Sequence, residues 1–324
     1  MDVYIQELGS KLRKEQNHFV VISGGKNNPI SIDLIDSIII EGSCSLTTDS
    51  IKLAVDNDIP IYISDYYGNI LGKFWKSKFD RTANIRQRQL QLFPYEYGKK
   101  LSKIWIEEKI ESQKNHLKKI FSRKNLEFDA IQKEFDEIIR NIREINLNDL
   151  NFSNVVMGYE GTASKKYYSH IKVFVDKKWE FNGRVNFRAT DPYNMTLNYL
   201  FGVLYSKVEH ALVVAGLDPK IGVLHTTNTN KEALTYDYIE KYRFIAWETV
   251  FSLFSKKLIN KNYFDDVSNI LTRDGKKVIL EEFYEKMKRK VERNGKEYTY
   301  ESTIMIGAKE IAKELIEDEI SDSI

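Results

Sequence analysis

Cysteine is almost missing from this chain of 324 residues: Cys44 stands alone. A single thiol forms no intrachain disulfide and no cysteine-based zinc cluster. The fold must therefore rest on its core, and a reduced, cytoplasmic setting is expected. Proline is nearly as scarce, at 5 residues, and glycine stands at 16, which excludes collagen-like, linker-like and extensively disordered classes. No apolar run approaches the roughly 20 residues that a bilayer span needs. The opening MDVYIQELGSKLRKEQ has no apolar core of signal-peptide type, so no membrane partner is expected. Walker A, GxGxxG, HExxH, GxSxG and EF-hand patterns are also missing. Their absence argues against nucleotide-driven and nicotinamide chemistry.

What is present is the composition of a globular protein, 42% hydrophobic and 30% charged, long enough for about two domains. The net charge of +2 conceals a division: 1–80 carries −3, 311–324 carries −4, and 81–310 carries +9. A basic body between acidic ends is compatible with a polyanion partner.

About the first 75 residues read as strands. VYIQEL, HFVVIS, SIIIEG, PIYISD and GNILGKF are short and β-branched or aromatic, bounded by turn residues in GGKNNP and YYGN. One helix is predicted near Thr48–Val55, with a threonine cap and Asp49 in its first turn. From about Thr82 the apolar spacing becomes three and four, and Phe128, Ile131, Phe135, Ile138, Ile142 and Ile145 form one stripe. Asp191-Pro192 reads as a helix start and Gly216 as the position past its end. GLDPKIGVLHTT reads as loop or short strand. Thr229 and Glu232 have capping-box spacing ahead of another long helix, and YEKMKRKVERNGKEYTYES reads as helix and turn. Strands in one run and helices in the next predict an α+β protein with segregated parts: a β-rich domain over 1–80 and a larger all-α domain over 81–324.

Three polar features stand in unusual settings. Glu160 lies between glycines in Gly158-Tyr159-Glu160-Gly161, where backbone or ligand can come close; a solvated glutamate at a helix end is the plainer reading. His225 closes the apolar run Gly222-Val223-Leu224 ahead of a helix, and alone such a histidine is more often structural than a ligand; His18, His116, His170 and His210 have no such context and read as structural. Asp237 and Glu240, at i and i+3, share one helix face; a solvated face is the usual explanation, but the surrounding segment is apolar and carboxylates there need a partner, which a divalent metal or Arg243 would supply. One imidazole with carboxylates and no thiolate suits Mg2+ or Mn2+ better than structural zinc. Lys165, Lys166, Arg184 and Arg188 flank these segments as candidate phosphate contacts.

In this order the residues resemble the CRISPR-associated integrase and endonuclease of spacer acquisition, the universal first Cas protein. Its GxEG stands at 158–161 and its GLDPxxGxLH is intact at 216–225. Its DPxNxxLxxxYxxL helix stands at 191–204 with Phe201 in the tyrosine position, and its DLxExxR stands at 237–243 with Tyr238 for leucine. IPIYISDYYGNILGKF also resembles the end of that family's β-domain.

The resemblance implies Glu160, His225 and Glu240 as ligands of Mg2+ or Mn2+, with Asp237 as the adjacent acidic residue that assists catalysis. It implies a homodimer whose N-terminal domain serves dimerisation and partner contact, and a small second CRISPR-associated protein as partner. The reaction implied is transesterification, with the 3′-hydroxyl of captured double-stranded DNA attacking a CRISPR repeat. Metal-dependent nuclease activity is implied as well. The alternatives are a non-catalytic DNA-binding adaptor on the same scaffold and a metal-dependent phosphohydrolase of small substrates.

Overall fold

The computed structural model describes residues 2–65, 70–74, 82–186, 188–225, 232–265, 268–293 and 295–317. The YYGN turn at 66–69, residues 75–81 of the expected boundary region, Thr229 of the expected capping box and the tail from 318 onward lie outside the described residues. The chain divides into two compact units, Met1–Asp80 with Tyr263–Asp274, and Arg81–Asn262 with Gly275–Ile324. The division departs from a single cut after residue 80 in one segment: 263–274 groups with the N-terminal strands.

The first unit holds β1 (Asp2–Ile5), β2 (Ser10–Glu15), β3 (His18–Ser23), β4 (Lys26–Ser31), β5 (Ser37–Ile40), β6 (Cys44–Leu46), α1 (Thr48–Asp56), β7 (Ile61–Ser64) and β8 (Ile70–Phe74). One sheet has the order β1-β5-β7-β8, parallel except for β8; the other has the order β4-β3-β2-β6. Val3, Ile5, Leu12, Phe19, Val21, Ile38, Ile40, Leu53 and Ile61 meet in a common core. The Thr47 hydroxyl caps α1, accepting from the Ser50 amide at 3.2 Å.

Sequence patterning misses β2, β4 and β6. SKLRKE buries only Ser10 and Leu12, and KNNPIS is almost entirely exposed, so neither shows an apolar alternation. Pairing with β3 makes them strands, and Pro29 is tolerated because β4 is an edge strand. A further pair, β9 (Phe264–Asp265) and β10 (Ile270–Leu271), is antiparallel.

The second unit is mostly helical: α2 (Thr82–Leu92), α3 (Glu96–Arg123), α4 (Asp129–Glu144), α5 (Phe152–Phe174), α6 (Pro192–Val214), α7 (Ala233–Ile239), α8 (Arg243–Ser255), α9 (Arg273–Met287, its start lying in the first unit) and α10 (Tyr300–Glu314). The expectation of an all-α region is corrected by a hairpin, β11 (Lys290–Arg293) with β12 (Lys296–Thr299). Gly295 supplies a left-handed turn residue at φ 74°, and Lys290 pairs with Glu297 across the strands at 3.0 Å.

The stripe on α4 buries Phe135, Ile138 and Ile142. Helix α6 starts at its Asp191 cap, whose carboxylate accepts from the Asn194 amide at 2.8 Å. It ends as Gly216 turns left-handed at φ 91°. Buried on nearly every side, α6 carries α7, α8 and α10 against it, while α3 packs on α4, α5 and the turn after α7. That turn corrects another expectation. The long helix predicted after Glu232 is broken by a 3-10 turn at Glu240–Tyr242, held from beneath where the Tyr238 and Tyr242 hydroxyls donate to the Ile304 and Thr303 carbonyls of α10, each at 3.0 Å.

Candidate active site

Four elements bring the sequence-selected residues to one region. Glu160 sits in the middle of α5, not at a helix end. A Cβ added at Gly158 or Gly161 would meet nothing within 4 Å, so the glycines leave the helix surface beside Glu160 open. Glu240 stands on the turn between α7 and α8, and Arg243 Nε donates to its Oε1 at 2.8 Å. Between the two carboxylates lies Lys109, from the buried face of α3, whose ammonium donates to both Glu160 and Glu240. Lys109 is 7% exposed and Glu240 6%. The Ser164 hydroxyl adds a bond to Glu160 at 2.7 Å, and Gln113 donates to Ser164 at 3.1 Å.

Electrostatics follow from this packing. Burial alone would push the Glu160 carboxyl up, but the Lys109 ammonium, with Ser164 and Arg243, outweighs it and holds the group at about 2. Burial likewise works against the charged forms of Lys109 and Arg243, yet Glu240 and Glu160 keep both above their ordinary values.

Asp237 faces elsewhere. Fully buried, it accepts from the amides of Val223 at 2.5 Å and Leu224 at 3.0 Å through Oδ2. Its Oδ1 lies 2.6 Å from His225 Nδ1. The carboxylate thus fixes the ring by its Nδ1 edge and leaves Nε2 as the nitrogen with a lone pair to offer. Asp237 and Glu240 therefore do not share a cation, because the helix break after Ile239 turns them to separate partners. The two halves meet through Tyr236, whose ring centroid is 5.8 Å from that of His225 and whose hydroxyl lies in the field of Arg243.

The GLDPKIGVLH loop presents His225 because it is pinned at several points. Gln89 donates to the Asp218 and Ile221 carbonyls at 3.0 and 2.9 Å and accepts from the Asp218 amide. The Leu234 amide donates to the Pro219 carbonyl at 2.8 Å. Gly222 is required by close approach: a Cβ there would lie 2.5 Å from the Ala233 carbonyl carbon and 2.6 Å from the Leu234 nitrogen.

The candidate phosphate contacts separate into two kinds. Arg184 belongs to the site. Buried Asn194 accepts from Arg184 and from the Val185 amide and donates to the Gly183 carbonyl, so the motif asparagine sets the position of that arginine. Arg184 and Arg243 lie 5.3 and 4.6 Å from the Phe201 ring centroid, and burial, with Arg243 adding to it against Tyr168, lowers the pKa of Arg184. Lys165 and Arg188 are exposed, whereas Lys166 bridges to Glu134 of α4 at 2.8 Å. His116 is buried, with Nδ1 2.7 Å from the Tyr167 hydroxyl.

Among the described residues, no three histidine, cysteine, aspartate or glutamate side chains are gathered as a set ready to hold a metal. The donor chemistry nonetheless fits Mg2+ or Mn2+: two carboxylates already converge on one cation, and an imidazole is oriented by a carboxylate behind it. Sequence reading missed Lys109, Ser164 and Gln113. For Lys109 and Gln113 the signal lay in α3, where with His116 they interrupt the buried stripe of Trp105, Ile106, Ile110, Leu117 and Ile120; polar groups on such a face need partners.

Comparison with known proteins places this geometry in context. The family model described as CRISPR associated protein Cas1 matches residues 3–285. A relative from Methanobrevibacter ruminantium named CRISPR-associated protein Cas1 3 is 29% identical over 289 residues, 86% of either chain. One from Saccharolobus solfataricus named CRISPR-associated endonuclease Cas1 2 is 25% identical over 86% of this chain and 85% of its own. Among solved structures, a casposase bound to integration product superposes with a TM-score of 0.86 at 24% identity, over 97% of this chain and 90% of the other.

Proposed function

Since the chain belongs to the CRISPR associated protein Cas1 family, we propose that it is a metal-dependent DNA endonuclease and integrase of CRISPR adaptation. In this reading it joins the 3′-hydroxyl ends of captured duplex DNA to a CRISPR repeat. The observation that carries the reading is the convergence of Glu160 and Glu240 on one buried cation, in the region where Asp237 orients His225. The endonuclease name of the Saccharolobus relative supports the same reaction class.

Glu160, Glu240 and His225 Nε2 would hold Mg2+ or Mn2+. Once bound, such an ion supplies charge stabilisation at a phosphodiester oxygen and orients the hydroxyl. The protein's own part is positioning and preformed charge, which phosphoryl transfer needs more than covalent help. Asp237 keeps the His225 ring in one orientation and one tautomer. Arg184, fixed by Asn194, offers a guanidinium to a phosphate oxygen. In the reaction the 3′-hydroxyl gives up its proton as its oxygen forms a bond to phosphorus, the repeat strand's phosphorus–oxygen bond breaks, and the departing oxygen takes up a proton, so that protons balance. One phosphodiester replaces another, so no nucleoside triphosphate is consumed.

We further read the protein as a homodimer, with its β-rich domain over 1–80 serving dimerisation and partner contact and a small second CRISPR-associated protein as the partner.

The test uses a branched DNA that mimics a half-integrated end. Strand rejoining is expected only with Mn2+ or Mg2+, and His225→Ala is expected to lose it while still binding the duplex. Rejoining in the presence of chelator, or unimpaired in the variant, would overturn this function.

A further inference from the structure

We infer that Lys109 is an internal counter-ion occupying the space between Glu160 and Glu240 in the metal-free protein, and that a divalent ion enters by displacing it. The inference rests on the metal reading of this site and adds a residue to it.

The argument begins with charge. Glu160 and Glu240 are met by two cations, Lys109 and Arg243, so the cluster is already neutral. Placing a divalent ion among four balanced charges would leave a buried excess of two positive charges, which a low-dielectric site resists strongly. Releasing the Lys109 ammonium halves that excess. Arg243 cannot play the same part, because it also lies against Phe201 at 4.6 Å and meets Glu240 from the side opposite Lys109: Arg243 donates to Oε1, Lys109 to Oε2. Lys109 has the means to leave. It is a single ammonium on a flexible four-carbon stem, and a lysine is a point charge without the rigid fork of an arginine. Among the described residues, the groups it donates to are the two carboxylates that would turn to the ion.

The same ammonium explains how two buried carboxylates stand together without an ion. Lys109 keeps them converged, so the site waits in a form close to the one it needs. The cost of that arrangement is competition, and metal affinity is set by the difference between two cations.

The test is Mn2+ binding to the full-length protein, read by electron paramagnetic resonance of free Mn2+, in wild type, Lys109→Met and Lys109→Arg. Circular dichroism establishes that each is folded. Lys109→Met removes the competitor without removing a carboxylate, and its affinity is expected to rise about tenfold or more. Lys109→Arg installs a competitor that is harder to displace, and its affinity is expected to fall below that of wild type. If Lys109→Met does not fold, the comparison of wild type with Lys109→Arg still decides. Equal affinity in wild type and the folded variants, or weaker binding in Lys109→Met, would overturn the displacement model while leaving the metal site standing. Absence of Mn2+ binding from wild type and variants alike would overturn the metal reading itself, and this inference with it.

Discussion

Glu160 shows how one side chain ties the site to the stability of the fold. Its carboxyl is held at about 2, against an ordinary 4.5, because the Lys109 ammonium outweighs the penalty of burial. A group whose pKa is depressed on folding contributes its full stability above the unfolded value and loses it as the pH drops toward the folded one. Metal-free wild type is therefore expected to lose stability as the pH falls from about 4.5 toward 2, and Glu160→Gln to lose less over that window. Urea midpoints measured at pH 5, 4 and 3 check this; parallel pH profiles would show that the carboxylate is not charged in the fold. The sequence made Glu160, His225, Asp237 and Glu240 visible, since each sits in a short motif whose spacing suggests chemistry. Lys109 was only half visible: its place on the buried face of α3 marks it as a group in need of partners, but those partners lie 51 and 131 residues away and nothing local names them. Phe201 lies between these cases: its motif position is readable, but its contact with two guanidiniums is not.

At the scale of elements, the loop from Gly216 to His225 behaves as a rigid mount. Gln89 and the Leu234 amide fix its backbone, Asp237 fixes its last turn, and Gly222 lets it touch the start of α7. Gly222→Ala would place a methyl carbon about 1 Å inside ordinary contact with the Ala233–Leu234 peptide, which cannot yield without moving α7. A loss of about 1–3 kcal/mol in stability is expected, together with loss of strand rejoining, because the same shift carries His225 off Asp237. Chemical denaturation beside the rejoining assay checks it; full activity would mean that His225 needs no such mount. Legibility at this scale follows the strength of local patterning. The α4 stripe and the Asp191 cap appear directly in the sequence. The strands β2, β4 and β6 and the β11–β12 hairpin do not, since pairing rather than alternation makes them strands. The break at Glu240–Tyr242 is hidden for a related reason: the tyrosines that hold it reach carbonyls on α10, more than 60 residues on.

Across the whole molecule, the α+β division was readable because strand-forming and helix-forming segments are segregated along the chain. The grouping of 263–274 with the N-terminal strands was not, being a matter of contact alone. Among the described residues no helix is long and apolar enough to cross a membrane. Under the proposed function, the basic residues within 81–310, a stretch that carries +9, would give duplex binding a salt dependence with a logarithmic slope near 0.9 per neutralised phosphate. Lys165→Glu combined with Arg188→Glu is expected to weaken binding and flatten that slope by about 2 if both touch phosphate. Lys166→Glu is expected to do less, because it reverses one charge, not two. Titrations across a salt series check this, and an unchanged slope would put the duplex on another face. The Lys109 bridge carries one more consequence, in time. An ammonium that joins positions 51 and 131 residues distant closes loops far longer than any helix, and such closures come late in folding. During refolding, helical signal should therefore appear before the capacity to bind Mn2+, and the interval between them would time the docking of α3.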